Sequence, residues 1–282
     1  MRAVFVALAV ILFTYQVARG GSGTVSGGVS CGENGIGGFH MQIEGEIDAA
    51  TVDKVRRLFD EQHEVFAKGG TTDVAARPGS SIKCTAYGVG YEINSQGGDV
   101  NAAIAIGRMF RKERAHLQVN ENSVCISACV LILAGAVERP VSGAIGIHRP
   151  YLRTTPQQPL TANQVKDAYR TMLQNMRLWM NVSERLADDM LATEPERVHI
   201  LTKAELKSYG LAGVDSAEQQ RMAIENEARD VQEANRLGLD RREYTRRKTL
   251  GLQSCIYNSA TGELMTDGEM LDCRERILTT GR

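Results

Sequence analysis

The sequence predicts an α/β protein with a largely parallel sheet, followed by a small disulfide-stapled C-terminal extension. Three observations carry this. From Met41 to Ile147, short alternating apolar runs take turns with stretches that are apolar at helical spacing, the pattern of right-handed crossovers. Beyond Pro150 only helical patterns remain. Near the C-terminus, Cys255 and Cys273 bracket a short segment with turn residues at Asn258-Ser259 and Asp267-Gly268, which makes them the preferred disulfide.

The N-terminus reads as an address. Met1-Arg2 is basic, Ala3 to Phe13 is apolar throughout, and Ala18 and Gly20 are small, the layout of a secretory signal peptide over 1–20. The run falls short of the roughly 20 apolar residues that span a bilayer. The competing reading is an uncleaved N-terminal anchor in the inner membrane, facing the periplasm. Either reading puts the rest of the chain in the periplasm or outside the cell. All six cysteines lie beyond the leader, as expected of a chain that forms disulfides in an oxidising compartment. Residues 21–38 are rich in Gly and Ser and read as a flexible linker, 39–216 as the α/β domain, and 217–282 as the extension.

Within the α/β domain, Met41, Ile43 and Ile47 predict a strand, and Val52, Val55, Leu58, Phe59 and Phe66 a helix. Lys68 to Ser81, with Gly69-Gly70 and Pro78-Gly79, reads as a loop. Val89, Tyr91 and Ile93 predict a strand, Asn94 to Gly98 a turn, and Val100 to Phe110 a helix. Leu117 and Val119 make a short strand, Ile126 to Val137 a buried helix, and Ile145 and Ile147 the next strand. Thr161 to Leu191 reads as one long amphipathic helix, with Val165, Leu173, Met176, Trp179 and Met180. Thr202-x-x-Glu205 is a capping box for a short helix that ends at Gly210, and Glu218 to Arg236 is a charged surface helix.

Composition removes several function classes. Lys+Arg of 33 against Asp+Glu of 34 leaves a net charge of −1, so no broad basic face for nucleic acid is expected. His40, His63, His116 and His199 show no ligand spacing and no CxxC motif occurs, so neither a metal site nor a cofactor is predicted. Cys125 and Cys129, if one turn apart in a regular helix, would hold their Cβ atoms roughly 5–6 Å apart. A disulfide needs about 3.5–4.5 Å, so that bond requires Cys125 to lie off the helix. The pairing of Cys31, Cys84, Cys125 and Cys129 stays open.

Three stretches have chemical potential. Glu92-Ile93-Asn94-Ser95-Gln96-Gly97-Gly98 is a strand, a Gly-rich turn and a helix start. Cys125-Ile126-Ser127-Ala128-Cys129 puts a serine where a strand feeds a buried helix, and Gly146-Ile147-His148-Arg149-Pro150 ends a strand on a histidine. At helix N-termini the backbone N–H groups of Gly98 and Ala128 can converge as an oxyanion hole, with Ser127 as nucleophile and His148 as base. Taken singly, each stretch has an ordinary structural explanation: a tight turn, a helix cap, a strand-end histidine.

Order and spacing change that. Together the three resemble the proteolytic subunit of Clp protease and its wider superfamily, which includes the crotonases. Ile93 to Gly98 matches "I-N-S-x-G-G", with Gln96 where the family usually has proline. Gly98 and Ser127 are 29 residues apart, close to the family's interval. Ile147 to Pro150 resembles "I-H-x-P", and Leu201-Thr202 with Tyr209-Gly210-Leu211 resembles the family's C-terminal element. The resemblance covers about Ile43 to Val214 and implies a ClpP/crotonase-like fold of repeated ββα-type units in an exported bacterial relative. It implies Ser127 as nucleophile, His148 as base, Gly98 and Ala128 as oxyanion donors, and a homo-oligomer contacting through the Thr161–Leu191 helix.

Two departures matter. Cys125-Ile126 is bulkier than the family's small pair, and Arg197 or Val198 stands where the family has its catalytic aspartate. Glu196 is the nearest carboxylate, with Glu194 and the more distant Asp189 behind it; a backbone carbonyl orienting His148 in a Ser-His dyad is the alternative. The first functional expectation is an exported serine peptidase acting on unfolded or short peptides without ATP, since no G-x-x-x-x-G-K-[ST] motif occurs. The second is an inactive binding or assembly module with the same groove. The third, crotonase-type acyl-CoA chemistry, fits poorly with export.

Overall fold

The computed structural model describes residues 23–32, 34–77, 80–150, 161–258 and 261–282. The leader over 1–20, the Pro78-Gly79 turn and Ser259 lie outside the described residues. Contacts divide the chain into two compact units, Met1–Asp215 and Ser216–Arg282.

The first unit is built on one seven-stranded sheet. Strand β1 (Thr24–Cys31) runs antiparallel to β2 (Ile36–Ile47), after which come helix α1 (Ala49–Ala67), β3 (Thr71–Arg77) and β4 (Ser80–Gly98). Helix α2 (Val100–Lys112), β5 (Val124–Ile126), α3 (Cys129–Gly135), β6 (Glu138–Arg139) and β7 (Ala144–Ile147) follow. The order across the sheet is β1-β2-β4-β5-β7-β8, with β8 (His199–Ile200) at the edge and β3 also on β4. The central pairs β2/β4, β4/β5 and β5/β7 are parallel, as the crossovers require. Residues 116–119 bridge in parallel between Glu92 and the segment 138–141, so the chain lays down a second strand layer before each return to the main sheet. Val119 therefore sits in an isolated bridge, and Leu117 between those of His116 and Gln118, rather than in an extended strand.

Hydrophobic patterning fixes these elements. Asp48 caps α1, accepting from the Thr51 amide at 2.8 Å, and that amide bond holds its carboxyl below the usual range. The helix buries Val55 and Phe59, and Phe59, Tyr91 and Phe110 meet edge to face with ring centroids 5.3–5.6 Å apart. Helices α2 and α3 cross where Gly107 meets Gly135: a Cβ on Gly135 would stand 2.2 Å from the Gly107 carbonyl oxygen. All seven residues of α3 are buried.

Several further expectations need correction. Most of the Gly/Ser-rich linker is sheet: Thr24 to Cys31 registers residue by residue with Glu44 to Gly37, and Val25 and Val29 pack on the core. A Cys31–Cys84 disulfide then ties β1 to β4. Composition alone reads as a tether, but small residues also allow close strand approach. The loop expected over Lys68–Ser81 is largely strand, since Thr71–Arg77 pairs antiparallel with the start of β4. Asn94 to Gly98 is not a free turn; it is the end of β4, with Glu46 and Ile47 opposite Gly97 and Gly98. The predicted helix over Ile126–Val137 shortens to Cys129–Gly135, because Val124–Ile126 belongs to the sheet.

The long helix expected over Thr161–Leu191 is also broken. Helix α4 (Ala162–Asn175) passes into a π-helical turn, Met176–Met180, and Asn181 then adopts φ +47°. Ser183 caps a new helix, α5 (Glu184–Ala192). A side-chain oxygen at Ser183 offers the backbone an alternative to continuing the helix. Leu178 and Trp179 are exposed, with the Arg108 guanidinium 5.5 Å from the Trp179 ring. The Thr202–Glu205 capping box opens α6 (Lys203–Tyr209) as expected, and Gly210 closes it at φ +77°. A last short strand, β9 (Gly213–Val214), pairs with β6.

A buried charge cluster locks this end of the unit. Asp215 lies against Arg111 and is 3.7 Å from Arg139. Arg139, wholly buried, donates to the carbonyls of Leu133, Ala134, Met180 and Gly210. These are carbonyls left over where α3, the π-turn and α6 end. Burial, with Arg111 beside it, lowers the Arg139 guanidinium to about 10, so it stays charged at neutral pH.

The second unit is helical: α7 (Ser216–Arg236), α8 (Arg241–Ser254) and α9 (Asp267–Thr280). Cys255 and Cys273 are bonded as expected, and with Ile277 they form its buried cluster. No helix among the described residues is long and apolar enough to cross a membrane.

Candidate active site

Each of the three motif stretches ends at the same edge of the sheet. In β4, Asn94 Oδ1 accepts from the Val124 N–H at 3.0 Å and so fixes the start of β5. Buried Ser95 donates to the Gly45 carbonyl at 2.6 Å and accepts from the Gly97 N–H at 3.0 Å, which turns the chain at the sheet edge. Gly97 (φ +105°) and Gly98 (φ +149°) follow. A Cβ on Gly97 would stand 2.8 Å from the Ser127 Cβ and 3.1 Å from the Ala128 nitrogen. One on Gly98 would stand 2.2 Å from the Ile47 carbonyl oxygen. Glycine at 97 lets this strand end press directly on the serine, and glycine at 98 lets it close on the Ile47 backbone.

Ser127 joins β5 to α3 and adopts φ +58°. A left-handed non-glycine residue costs about 1–3 kcal/mol and persists only where its surroundings hold it. Here its N–H donates to the Gly146 carbonyl at 2.9 Å, and its own carbonyl accepts from Val130 at 3.1 Å. The result is a sharp strand-to-helix elbow of the kind that exposes a nucleophile above a sheet. The Gly146 bond also brings in the third stretch, because His148 lies two residues on.

His148 is buried at 7% exposure, and its Nδ1 lies 2.9 Å from the Arg149 carbonyl oxygen. A carbonyl only accepts, so Nδ1 is the donor in this bond. The strand end is held from two sides. The Arg149 N–H donates to the Thr193 carbonyl at 2.9 Å, and the Tyr169 hydroxyl to the Pro150 carbonyl at 3.5 Å.

Glu196 is not brought to this histidine. It is exposed on the segment between α5 and β8 and makes no hydrogen bond or ion pair among the described residues. Val198, which with Arg197 is one of the two positions where the resemblance expects aspartate, lays its Cγ1 2.6 Å from where a Gly146 Cβ would be. Asp189 is engaged elsewhere, accepting from the Tyr209 hydroxyl and lying 3.4 Å from Arg185. Burial, then the Asp189 bond, raises Tyr209 to about 12, so this hydroxyl stays a donor.

Sequence reasoning missed the left-handed backbone at Ser127; it weighed a backbone carbonyl beside His148, but not which residue supplies it. The left-handed Ser127 had a signal in the cysteines at its second neighbours on either side. Cys125, on β5, and Cys129, at the start of α3, are bonded, which is the off-helix arrangement that the distance argument required. The Arg149 carbonyl carries no sequence signal at all, since every residue has one.

The family model described as Clp protease matches residues 87–217, a segment that contains Gly98, Ser127, Ala128 and His148. No curated protein matches the chain. Among solved structures, it is similar to a mutant of the 1510-N membrane-bound stomatin-specific protease, at 15% identity over 62% of this chain and 77% of that one, with a TM-score of 0.43. A second mutant of that protease, in complex with a substrate peptide, gives 16% identity, coverages of 62% and 73%, and a TM-score of 0.43. ClpP1 from Listeria monocytogenes gives 18%, 61% and 88%, and 0.42. Over residues 87–217 this chain is similar to the Clp protease family, and its α/β fold with a largely parallel sheet is the architecture that the resemblance implies.

Proposed function

We propose that the chain is an exported serine peptidase that cleaves unfolded or short peptides without ATP, through a Ser127–His148 dyad. The observation that supports it most is the convergence on Ser127: a positive-φ elbow, Gly97 packed on its Cβ and the strand of His148 bonded to its N–H. In this reading Ser127 Oγ attacks the scissile carbonyl carbon while His148 Nε2 takes its proton. The N–H groups of Gly98 and Ala128 donate to the developing oxyanion. His148 returns the proton to the leaving amine, and water then hydrolyses the acyl-enzyme with the same base.

The Arg149 carbonyl takes the orienting part that an aspartate plays in a triad. A neutral oxygen fixes ring and tautomer but stabilises the imidazolium less than a carboxylate does, so turnover should be modest. Three disulfides support export, because a reducing cytosol keeps thiols reduced.

The test is hydrolysis of a quenched fluorescent peptide pool and of unfolded casein, without ATP, by the chain lacking its leader. Ser127→Ala and His148→Ala should each lower kcat by at least about 10³-fold. Unchanged activity in Ser127→Ala overturns the proposal. Val198 over Gly146 favours one second reading, a module that retains peptides in the same groove without cleaving them. Peptide binding without turnover by the folded wild type selects it.

A further inference from the structure

The Cys125–Cys129 disulfide brackets Ser127, and the mechanism above does not use it. Cys125 is the middle residue of β5, opposite Ser95 on one side and Ile145 on the other; Cys129 is the first residue of α3. Both are wholly buried, with Cα atoms 5.2 Å apart. The bond closes a ring over Ile126, Ser127 and Ala128, so it contains both the nucleophile and one proposed oxyanion donor.

We propose that this disulfide is a positioning clamp that holds Ser127 in its left-handed elbow and sets the reactivity of its hydroxyl. The proposal rests on Ser127 being the nucleophile. The elbow has a use for such a clamp because both of its flanks are short, although β5 pairs with β7 at all three of its residues. Strand β5 is three residues long, and its ladder to β4 consists of the single pair Ser95–Cys125. Helix α3 has seven residues, and Ala128 at its N-cap gives no side-chain hydrogen bond. A Ser, Thr or Asp cap or a longer ladder would otherwise fix this turn. At φ +58° a serine with loose flanks relaxes toward right-handed backbone, which moves Oγ and the Ala128 N–H together.

Loop length separates this role from general stabilisation. Cys31–Cys84 spans a separation of 53 residues and Cys255–Cys273 one of 18, against 4 here. Closing the shortest loop removes the least entropy from the unfolded chain. The bond also lies within a large core that does not need it to collapse. Its loss should therefore be read in rate before it is read in melting.

The test compares Cys125→Ala/Cys129→Ala with Cys31→Ala/Cys84→Ala, following phosphonylation by a fluorophosphonate probe together with thermal melting. The expected result for the first pair is a maximal labelling rate about 10- to 100-fold below wild type, with unchanged half-saturating probe concentration. The second pair should lose more in melting temperature and keep the wild-type labelling rate. A folded Cys125→Ala/Cys129→Ala protein that labels at the wild-type rate overturns the clamp alone. Equal slowing in both pairs also overturns it, since that marks a general structural effect. A wild type that does not label removes the nucleophile itself, and the clamp with it.

If the double variant does not fold, the native protein serves. Dithiothreitol transfers two hydrogens to the disulfide, giving two thiols and the cyclic disulfide of the reagent. A short phosphonate pulse and then alkylation follow at increasing reductant. Cys125, Ser127 and Cys129 share one tryptic peptide, so mass spectrometry reads bond state and label in the same molecule. Label confined to peptides with the bond closed supports the clamp, and equal label in open and closed peptides overturns it.

Discussion

Two disulfides of this chain sit in opposite surroundings. Cys125–Cys129 lies within a continuous core that runs from Phe39 to Leu211 and includes the whole of α3. Cys255–Cys273 is itself most of a core: with Ile277 it forms the buried cluster of the second unit, against which, among the described residues, Leu250 and Met265 pack. Helix α7 buries just Glu218 and Ala234, and α8 just Tyr244 and Gly251. Many of the second unit's visible interactions are exposed ion pairs such as Arg246–Glu243 and Arg236–Glu233, which contribute little each. The same covalent bond thus does two jobs. Where apolar burial is scarce it holds an element together, and where burial is ample it is left to set local geometry.

The largest expected effect tests the first unit where burial is costly rather than favourable. Asp215→Ala leaves Arg139 buried with Arg111 beside it and removes the carboxylate between them. Breaking such a buried pair should cost about 3–5 kcal/mol, read as a lowered denaturation midpoint. A near-unchanged midpoint would mean that the carbonyl bonds of Arg139 carry the cluster on their own. Next in size is Cys255→Ala/Cys273→Ala. A loop of this length is worth about 3 kcal/mol, more than the small cluster around it can replace. Hydrogen exchange should show α8 and α9 losing protection while the amides of β4 and α3 keep theirs. Full protection in α8 and α9 would break the comparison.

The smallest effect is acid sensitivity. Glu205 in the α6 capping box titrates at about 2, lowered first by the Thr202 amide; Glu243 on α8 also titrates at about 2, lowered first by Arg246 and then Arg247. Each is depressed from a usual 4.5, so each supports the fold fully above that value and loses its support as pH falls through about 2. Between those limits α8 should lose exchange protection before α6 does, because fewer apolar contacts back it. The order is checked by exchange at a series of pH values, and α6 opening first would contradict it.

Much of the fold was legible because it is written in periodicity. The alternation at Val89, Tyr91 and Ile93, the helical stripe from Val52 to Phe66 and the capping box at Thr202 all reappear as drawn. What was illegible depends on partners distant in sequence. Thr24 to Cys31 becomes a strand only because Gly37 to Glu44 lies alongside. Gly97 and Gly98 stay extended only because Ile47 is opposite. Asn181 was the one local mark of the break after α4, and a single Asn is weak against the apolar stripe around it. At the site, residue types and order single out Ser127 and His148, the pair proposed as nucleophile and base. The orienting group could not be read, because the Arg149 oxygen belongs to the backbone and Glu196, the nearest carboxylate in sequence, points to no partner among the described residues.

The central proposal is a serine activated by His148, with the Arg149 carbonyl on its Nδ1 and with Glu196 not required. The most direct measurement is fluorophosphonate labelling of the chain without residues 1–20, comparing wild type, Ser127→Ala, His148→Ala and Glu196→Gln. The account predicts labelling of wild type and Glu196→Gln at similar rates, with none in Ser127→Ala and almost none in His148→Ala. A folded wild type that does not label, or a Glu196→Gln protein as inert as His148→Ala, would contradict it.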